Sequence, residues 1–271
     1  MVYVAAGLLG LLGGLIAYGL LAVFRKVNGG EDERIEMLES MLPGVNCGAC
    51  GTAGCADMAR ALAAGEREPS GCPIASPNTI KAIAELLGVE EGERKRKVAQ
   101  LVCRGKVSAA PARADYIGLR DCVAANAVAG GQKGCTFGCL GFGTCVGVCP
   151  VGAIKMGDDG LPHIDVALCT GCGLCVQACP RNTLELIEEG QGAVIRCISQ
   201  ASGKTVRGVC EVGCIQCKIC IRECPQKAIS IKDGRVWIDP ALCDGCGICA
   251  EKCPNGVIDV HLKEIFERVS A

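Results

Sequence analysis

The chain has 271 residues, of which 24 are cysteine and 38 glycine; aromatic residues make up only 3%, and the formal net charge is −1. A near-neutral charge with no basic stripe excludes a nucleic-acid partner, and so few aromatic residues exclude a conventional aromatic-rich core. A disulfide scaffold is excluded as well, because that solution belongs to short secreted domains; this chain is long, lacks a cleavable signal and spaces its cysteines as metal ligands.

Val2 to Phe24 carry no charge, and Arg25 and Lys26 follow at once. A bilayer core takes about 20 apolar residues, and charges after the run rather than before it argue against a secretory signal. Residues 1–26 are therefore expected to be a single-pass transmembrane anchor in the cytoplasmic (inner) membrane. The positive-inside rule places everything after it on the cytoplasmic side. Ala6, Gly10 and Gly14, with Gly7 and Gly13 beside them, share one helix face that suits packing on other membrane helices.

Residues 27–90 read as an N-terminal [4Fe-4S] domain. Glu31–Leu42 has the pattern of a short amphipathic helix, followed by CGACGTAGC with Cys47, Cys50 and Cys55, and later by Cys72-Pro73. ADMARALAAG between them has helical spacing, so the fourth thiolate is expected to return from the far end of a helix. Pro77 opens a further helix that Gly88 closes. The charge run from Glu90 to Lys97 reads as a solvated linker, and residues 91–134, with Cys103 and Cys122, as a linker carrying extra cysteines.

From Cys135 onward four runs end in Cys-Pro: Cys135/Cys139/Cys145/Cys149, Cys169/Cys172/Cys175/Cys179, Cys214/Cys217/Cys220/Cys224 and Cys243/Cys246/Cys249/Cys253. Three have the C-x2-C-x2-C-x3-C-P spacing in which three thiolates hold one [4Fe-4S] cluster and the fourth crosses to its partner cluster. Cys149 and Cys224 lie 75 positions apart, and a DG turn between β-type segments recurs in both halves, which is a hairpin signal. Residues 135–190 and 191–271 are thus expected to be two tandem bacterial-type two-cluster ferredoxin domains. Crossing predicts the sets Cys135/Cys139/Cys145/Cys179 and Cys169/Cys172/Cys175/Cys149 in the first. In the second it predicts Cys214/Cys217/Cys220/Cys253 and Cys243/Cys246/Cys249/Cys224. The first run departs from the usual spacing, as C-x3-C-x5-C-x3-C-P, and leaves a three-iron or solvent-open cluster as an alternative there.

Five clusters use 20 cysteines, and Cys103, Cys122, Cys197 and Cys210 are left over. A free cysteine is often only a small buried hydrophobe. These four, in two pairs placed before the two units, predict a sixth cluster ligated by all of them. Zinc sites come as two separated pairs rather than three cysteines in one loop, which makes zinc the weaker reading. The spacing Cys210-x3-Cys214-x2-Cys217 mimics a radical enzyme, yet too little chain follows for a barrel of about 200 residues. No GxGxxG or P-loop opens a helix, so no nucleotide site is visible. The fold class is α+β: one transmembrane helix, a small helical cluster domain and two ferredoxin domains.

An uncharged N-terminal helix, then CGACGTAGC and Cys72-Pro73, then CTFGCLGFGTCVGVCP and a second ferredoxin unit, resembles over the whole chain the B subunits of Rnf complexes, the ion-translocating ferredoxin:NAD oxidoreductases. The resemblance implies a subunit that takes electrons from soluble ferredoxin and passes them to integral and peripheral membrane partners. It also implies that NAD and flavin chemistry lies on those partners, coupled to translocation of Na+ or H+. A membrane-tethered polyferredoxin or reductive activator in a non-pumping pathway is the alternative.

Overall fold

The computed structural model describes residues 2–92, 94–188 and 190–260, with side chains at 13–23 and from 33 onward. It divides into two compact units, Met1–Arg94 and Lys95–Ala271.

The first unit starts with α1, Val2–Met41, one continuous helix of 40 residues. This corrects the expected transmembrane anchor: among the described residues, no helix is long and apolar enough to cross a membrane. The uncharged run is not an element of its own. It continues without a break through Arg25, Lys26 and Gly29-Gly30 into EDERIEMLESM. An interior glycine costs a helix only about 1 kcal/mol, while each residue added brings a further backbone hydrogen bond, so two glycines do not end it. The expected small-residue face falls at Ala6, Gly7 and Gly10 outside the described side chains; a Cβ on Gly13 or Gly14 would meet nothing within 4 Å.

Burial begins at the C-terminal end of α1. Leu38, fully buried, and Leu42 pack with Met58, Ala59 and Leu62 of α2 (Cys55–Ala63) and with Ile80 and Ile83 of α3 (Pro77–Leu87). The latter helix is delimited by its sequence: Ser76 accepts from Thr79 N at its start, Pro77 fills the first turn, and Gly88 closes it at φ 68°.

The second unit repeats one small module. In the first copy β1 (Lys97–Leu101) pairs antiparallel with β4 (Leu184–Glu188), and β2 (Ile154–Met156) forms a hairpin with β3 (Pro162–Ile164). In the second, β5 (Ala193–Ile195) pairs with β8 (Ile258–Val260), and β6 (Ile229–Lys232) with β7 (Arg235–Ile238). Each module is closed by its first and last strands, and β1 lies in the stretch expected to be linker. Its burial pattern explains this: Val98, Ala99 and Leu101 are buried, and without β4 their apolar faces would meet water.

Short helices carry the cysteines. They are α4 (Cys122–Ala127), α5 (Thr144–Gly147), α6 (Leu174–Ala178), α7 (Gly203–Val209), α8 (Ile219–Glu223) and α9 (Ile248–Glu251). The residue that caps the start of α5, α6, α8 and α9 is left-handed in every case: Gly143, Gly173, Lys218 and Gly247. The two module cores are composed alike, with Cys145, Cys175, Ile154 and Leu184 in one and Cys220, Cys249, Ile229 and Ile258 in the other. Cysteines stand where other proteins of this size put large side chains.

Candidate metal centres

In the first unit Cys47, Cys50, Cys55 and Cys72 line one cavity together with Leu42, Met58 and Ile74. Gly48 and Gly51 take φ of 69° and 84° to turn the CGACG loop around it. The side chain of Asn46 accepts from Cys55 N at 2.8 Å, tying the loop to the start of α2. Burial pushes the Cys72 thiol up, and the backbone N–H groups of Ile74 and Ala75 pull against it. Those N–H groups favour a thiolate, which is the form that binds metal.

In the second module Cys214, Cys217, Cys220 and Cys253 line one cavity. The fourth comes from the opposite half-motif, and Val257 N donates to its sulfur at 3.4 Å. Cys224, Cys243, Cys246 and Cys249 are mutual neighbours: the Cys249 thiol is pushed up to about 11 by burial first, then by Cys243, Cys246 and Cys224. In the first module Cys175 is pushed up to about 12 by burial, then by Cys169, Cys172, Cys145 and Cys149. Backbone N–H groups reach these sulfurs as well, Ala99 N to Cys169 Sγ at 3.4 Å and Ala153 N to Cys149 Sγ at 3.3 Å. Each of these three groups brings together cysteines of both half-motifs.

The remaining set differs from the expectation. The cavity around Cys139, Cys145 and Cys179 is lined by Cys122, not by Cys135. Asp121 caps α4, accepting from Val123 N and Ala124 N at 2.8 and 2.9 Å. Its other oxygen accepts from Thr144 Oγ1 at 2.6 Å, and Thr144 Oγ1 in turn accepts from Cys122 N at 2.7 Å. Thr144 is the first residue of α5, which carries Cys145. Two adjoining side chains therefore clamp the two helix starts that bear Cys122 and Cys145. Asp121 is held well below the usual carboxylate range, first by the Thr144 hydroxyl and then by the Ala124 N–H.

Cys135 lines a different cavity, with Cys103, Cys197 and Cys210. Of the four left-over cysteines, three thus share one cavity with Cys135, while Cys122 lines the one around Cys139, Cys145 and Cys179. The register of the repeat explains the exchange and was readable in the sequence. Cys135, Cys139, Cys145 and Cys149 each precede Cys210, Cys214, Cys220 and Cys224 by 75 positions, so the two runs have one spacing and no insertion. Aligned this way, Cys217 corresponds to Phe142. The loop lacks one ligand position, and Cys122 occupies the matching side of the cavity from outside the loop.

The chemistry of these donors fits iron–sulfur clusters. Each set offers four thiols, all 24 cysteines are free, and the surroundings are apolar with backbone N–H groups pointing at sulfur, the features that stabilise and tune such clusters. Among the described residues no three His, Cys, Asp or Glu side chains are placed to hold a single metal ion. A lone zinc needs its ligands within about 2.3 Å of one point, so thiols set around a cavity fit a multi-iron cluster better.

Comparison with known proteins agrees. A model for an Fe-S cluster matches residues 42–74, a 4Fe-4S binding domain matches 162–185, and a 4Fe-4S dicluster domain matches 213–258. The chain is 39% identical to the B subunit of the Na+-translocating ferredoxin:NAD+ oxidoreductase complex of Acetobacterium woodii, over 89% of its own length and 73% of that protein's. It is 44% identical to the B subunit of an ion-translocating oxidoreductase complex of Methanosarcina acetivorans, over 77% and 79%. The B subunit of the proton-translocating ferredoxin:NAD+ oxidoreductase complex of Clostridium ljungdahlii is 38% identical, over 90% and 85%. The chain belongs to this family, the B subunits of Rnf complexes. As an Rnf B subunit it is an iron–sulfur electron-transfer subunit of an ion-translocating oxidoreductase, carrying several [4Fe-4S] sites.

Proposed function

We propose that this Rnf B subunit accepts electrons from reduced soluble ferredoxin. It relays them, from the cytoplasmic side, to integral and peripheral subunits where NAD reduction is coupled to Na+ or H+ translocation. Five [4Fe-4S] clusters carry the relay. Their ligand sets are Cys47/Cys50/Cys55/Cys72, Cys122/Cys139/Cys145/Cys179, Cys149/Cys169/Cys172/Cys175, Cys214/Cys217/Cys220/Cys253 and Cys224/Cys243/Cys246/Cys249. When bound, such clusters supply one-electron redox chemistry at potentials set by hydrogen bonds to sulfur, exposure and charge.

The observation that carries this reading is the crossed set in the second module, where Cys253 joins Cys214, Cys217 and Cys220 around one cavity. Crossing ligates two neighbouring clusters through one short segment and so keeps them close. The chain's own residues bind the clusters, exclude water with Ile, Val and Leu side chains, and aim N–H groups at sulfur. Cys217 and Cys246 are exposed, which makes the second module the face at which an external carrier approaches most closely.

The test is to mix the anaerobically purified full chain with reduced ferredoxin and follow bleaching of the cluster absorbance in the visible range. Reduction of several clusters per chain is expected, with no reduction by NADH in the absence of partner subunits. Direct reduction by NADH, or no electron uptake from ferredoxin, would overturn it.

A further inference from the structure

The cavity lined by Cys103, Cys135, Cys197 and Cys210 belongs to none of the five sets. Like the cavities around Cys47/Cys50/Cys55/Cys72 and Cys214/Cys217/Cys220/Cys253, it is lined by four thiols. Two thiols come from each module at matching places. Cys103 lies two residues after β1 and Cys197 two residues after β5, and the pair faces across an isolated antiparallel bridge. Cys135 and Cys210 each stand four residues before the first cysteine of their loops, Cys139 and Cys214. Gly105 borders the cavity as well: a Cβ there would stand 3.0 Å from Ala110 Cβ and in ordinary contact with Cys103 Sγ and Cys210 Sγ, at 3.5 and 3.7 Å.

Two further features point to an anionic occupant. Cys139 N donates to Cys103 Sγ at 3.4 Å, as backbone N–H groups do to Cys149, Cys169 and Cys253 in the sets already described. Lys133, only 5% exposed, donates its ammonium to the carbonyl of Gly105 beside the cavity. A buried ammonium facing only a neutral carbonyl is expensive, and a cluster held by four thiolates supplies the missing negative charge.

We infer that Cys103, Cys135, Cys197 and Cys210 ligate a sixth [4Fe-4S] cluster between the two ferredoxin modules. The inference rests on the reading of this chain as an iron–sulfur carrier. Each thiol gives up its proton as its sulfur bonds iron, and the cluster then ties β1 and the Cys135 loop of one module to β5 and the Cys210 loop of the other. Cys122 takes no part in this site; it completes the Cys139/Cys145/Cys179 set instead.

Iron and acid-labile sulfide are measured on the anaerobically reconstituted full chain, together with Mössbauer spectra. The wild type should hold about 24 iron atoms, four for each of six cubanes, and the Cys197→Ser/Cys210→Ser variant about four fewer. Cys135→Ser and Cys122→Ser should deplete different clusters, so that their losses add in the double variant. A wild-type content of about 20 iron atoms overturns the sixth site, and this measurement stands even if a variant fails to fold. Coincident, non-additive losses in Cys122→Ser and Cys135→Ser overturn the ligand exchange. A wild type with no iron overturns the carrier reading itself, a result distinct from the other two.

Discussion

The two ferredoxin modules share strands, helices and core positions, yet they differ in where one cysteine of a matching cavity comes from. In the second module, Cys214, Cys217 and Cys220 sit in one tight loop, and the dicluster model matches the whole of 213–258. In the first, a 4Fe-4S binding domain matches residues 162–185, and Phe142 stands where Cys217 stands in its repeat. Phe142 packs on Tyr116 with ring centroids 5.3 Å apart and lies 6.0 Å from the Arg120 guanidinium. All three belong to or face the long insertion that carries Cys122. A cavity can therefore keep four cysteines when its loop lacks one, provided a neighbouring segment is anchored closely enough to bring another. Here the anchor is the Asp121–Thr144 clamp.

The largest effect that would break the likeness of the modules is removal of iron. With so few aromatic side chains, both cores consist partly of ligated cysteine, and metal ligation is folding free energy in such domains. Chelation under reducing conditions is expected to unfold both modules while the helices of the first unit keep most of their far-UV circular dichroism. Retention of the β5–β8 pairing in the cluster-free chain, seen by hydrogen exchange, would contradict this.

The ligand exchange itself can be reversed. Cys122→Ser should lose one cluster, about four iron atoms, as Cys217→Ser should in the second module. Adding Phe142→Cys to Cys122→Ser should restore that cluster, since it gives the first loop the spacing of the second. An iron content that stays at the single-variant level would show that Cys122 is not standing in for position 142.

Much of this was legible in spacing, and what was not has physical causes. Sets confined to one loop and a crossing partner, such as Cys243/Cys246/Cys249 with Cys224, follow from the C-x2-C-x2-C-x3-C-P rule alone. Cys122 did not, because it approaches the site through tertiary contacts across 22 residues of chain. The 75-residue offset would have exposed it, but matching Cys135 to Cys214 by motif order hid the offset by one cysteine. β1 was missed because five residues, KVAQL, become a strand only when β4 covers their apolar side. The transmembrane expectation failed as well: counting uncharged residues is a weaker criterion than length and apolarity together, and among the described residues no helix is long and apolar enough to cross a membrane.

A smaller effect falls on the clamp. Asp121→Asn keeps the cap geometry but weakens the link to Thr144, and should speed loss of the Cys139/Cys145/Cys179 cluster severalfold without changing cluster stability in the second module. The sign with pH follows from the direction of the shift. A carboxyl held below its ordinary value contributes above that value, about 3.9, and loses its contribution as the pH falls through the lowered one. The gap between wild type and Asp121→Asn should therefore be constant from pH 6 to 8. A gap that closes on going up from pH 6 would rule out the carboxylate as the anchor.

The smallest effect concerns the left-handed residue that opens each ligand helix. Gly143, Gly173 and Gly247 take φ between 78° and 82°, whereas the second module has Lys218 at 61°. A side chain in this region costs about 1–2 kcal/mol, and glycine returns about 0.5–1 kcal/mol of that through its freer unfolded chain. Lys218→Gly should then stabilise the second module by about 0.5–1 kcal/mol, a rise of about 2–4 °C in the temperature at which its cluster absorbance is lost. The reverse change cannot be symmetric. A Cβ on Gly143 would stand 3.2 Å from Met156 Cγ and 3.5 Å from its sulfur, so Gly143→Ala adds crowding to backbone strain and should lower the first module's transition by more than Lys218→Gly raises the second's. Equal and opposite shifts would mean that backbone conformation alone separates the two positions, and that Met156 yields freely.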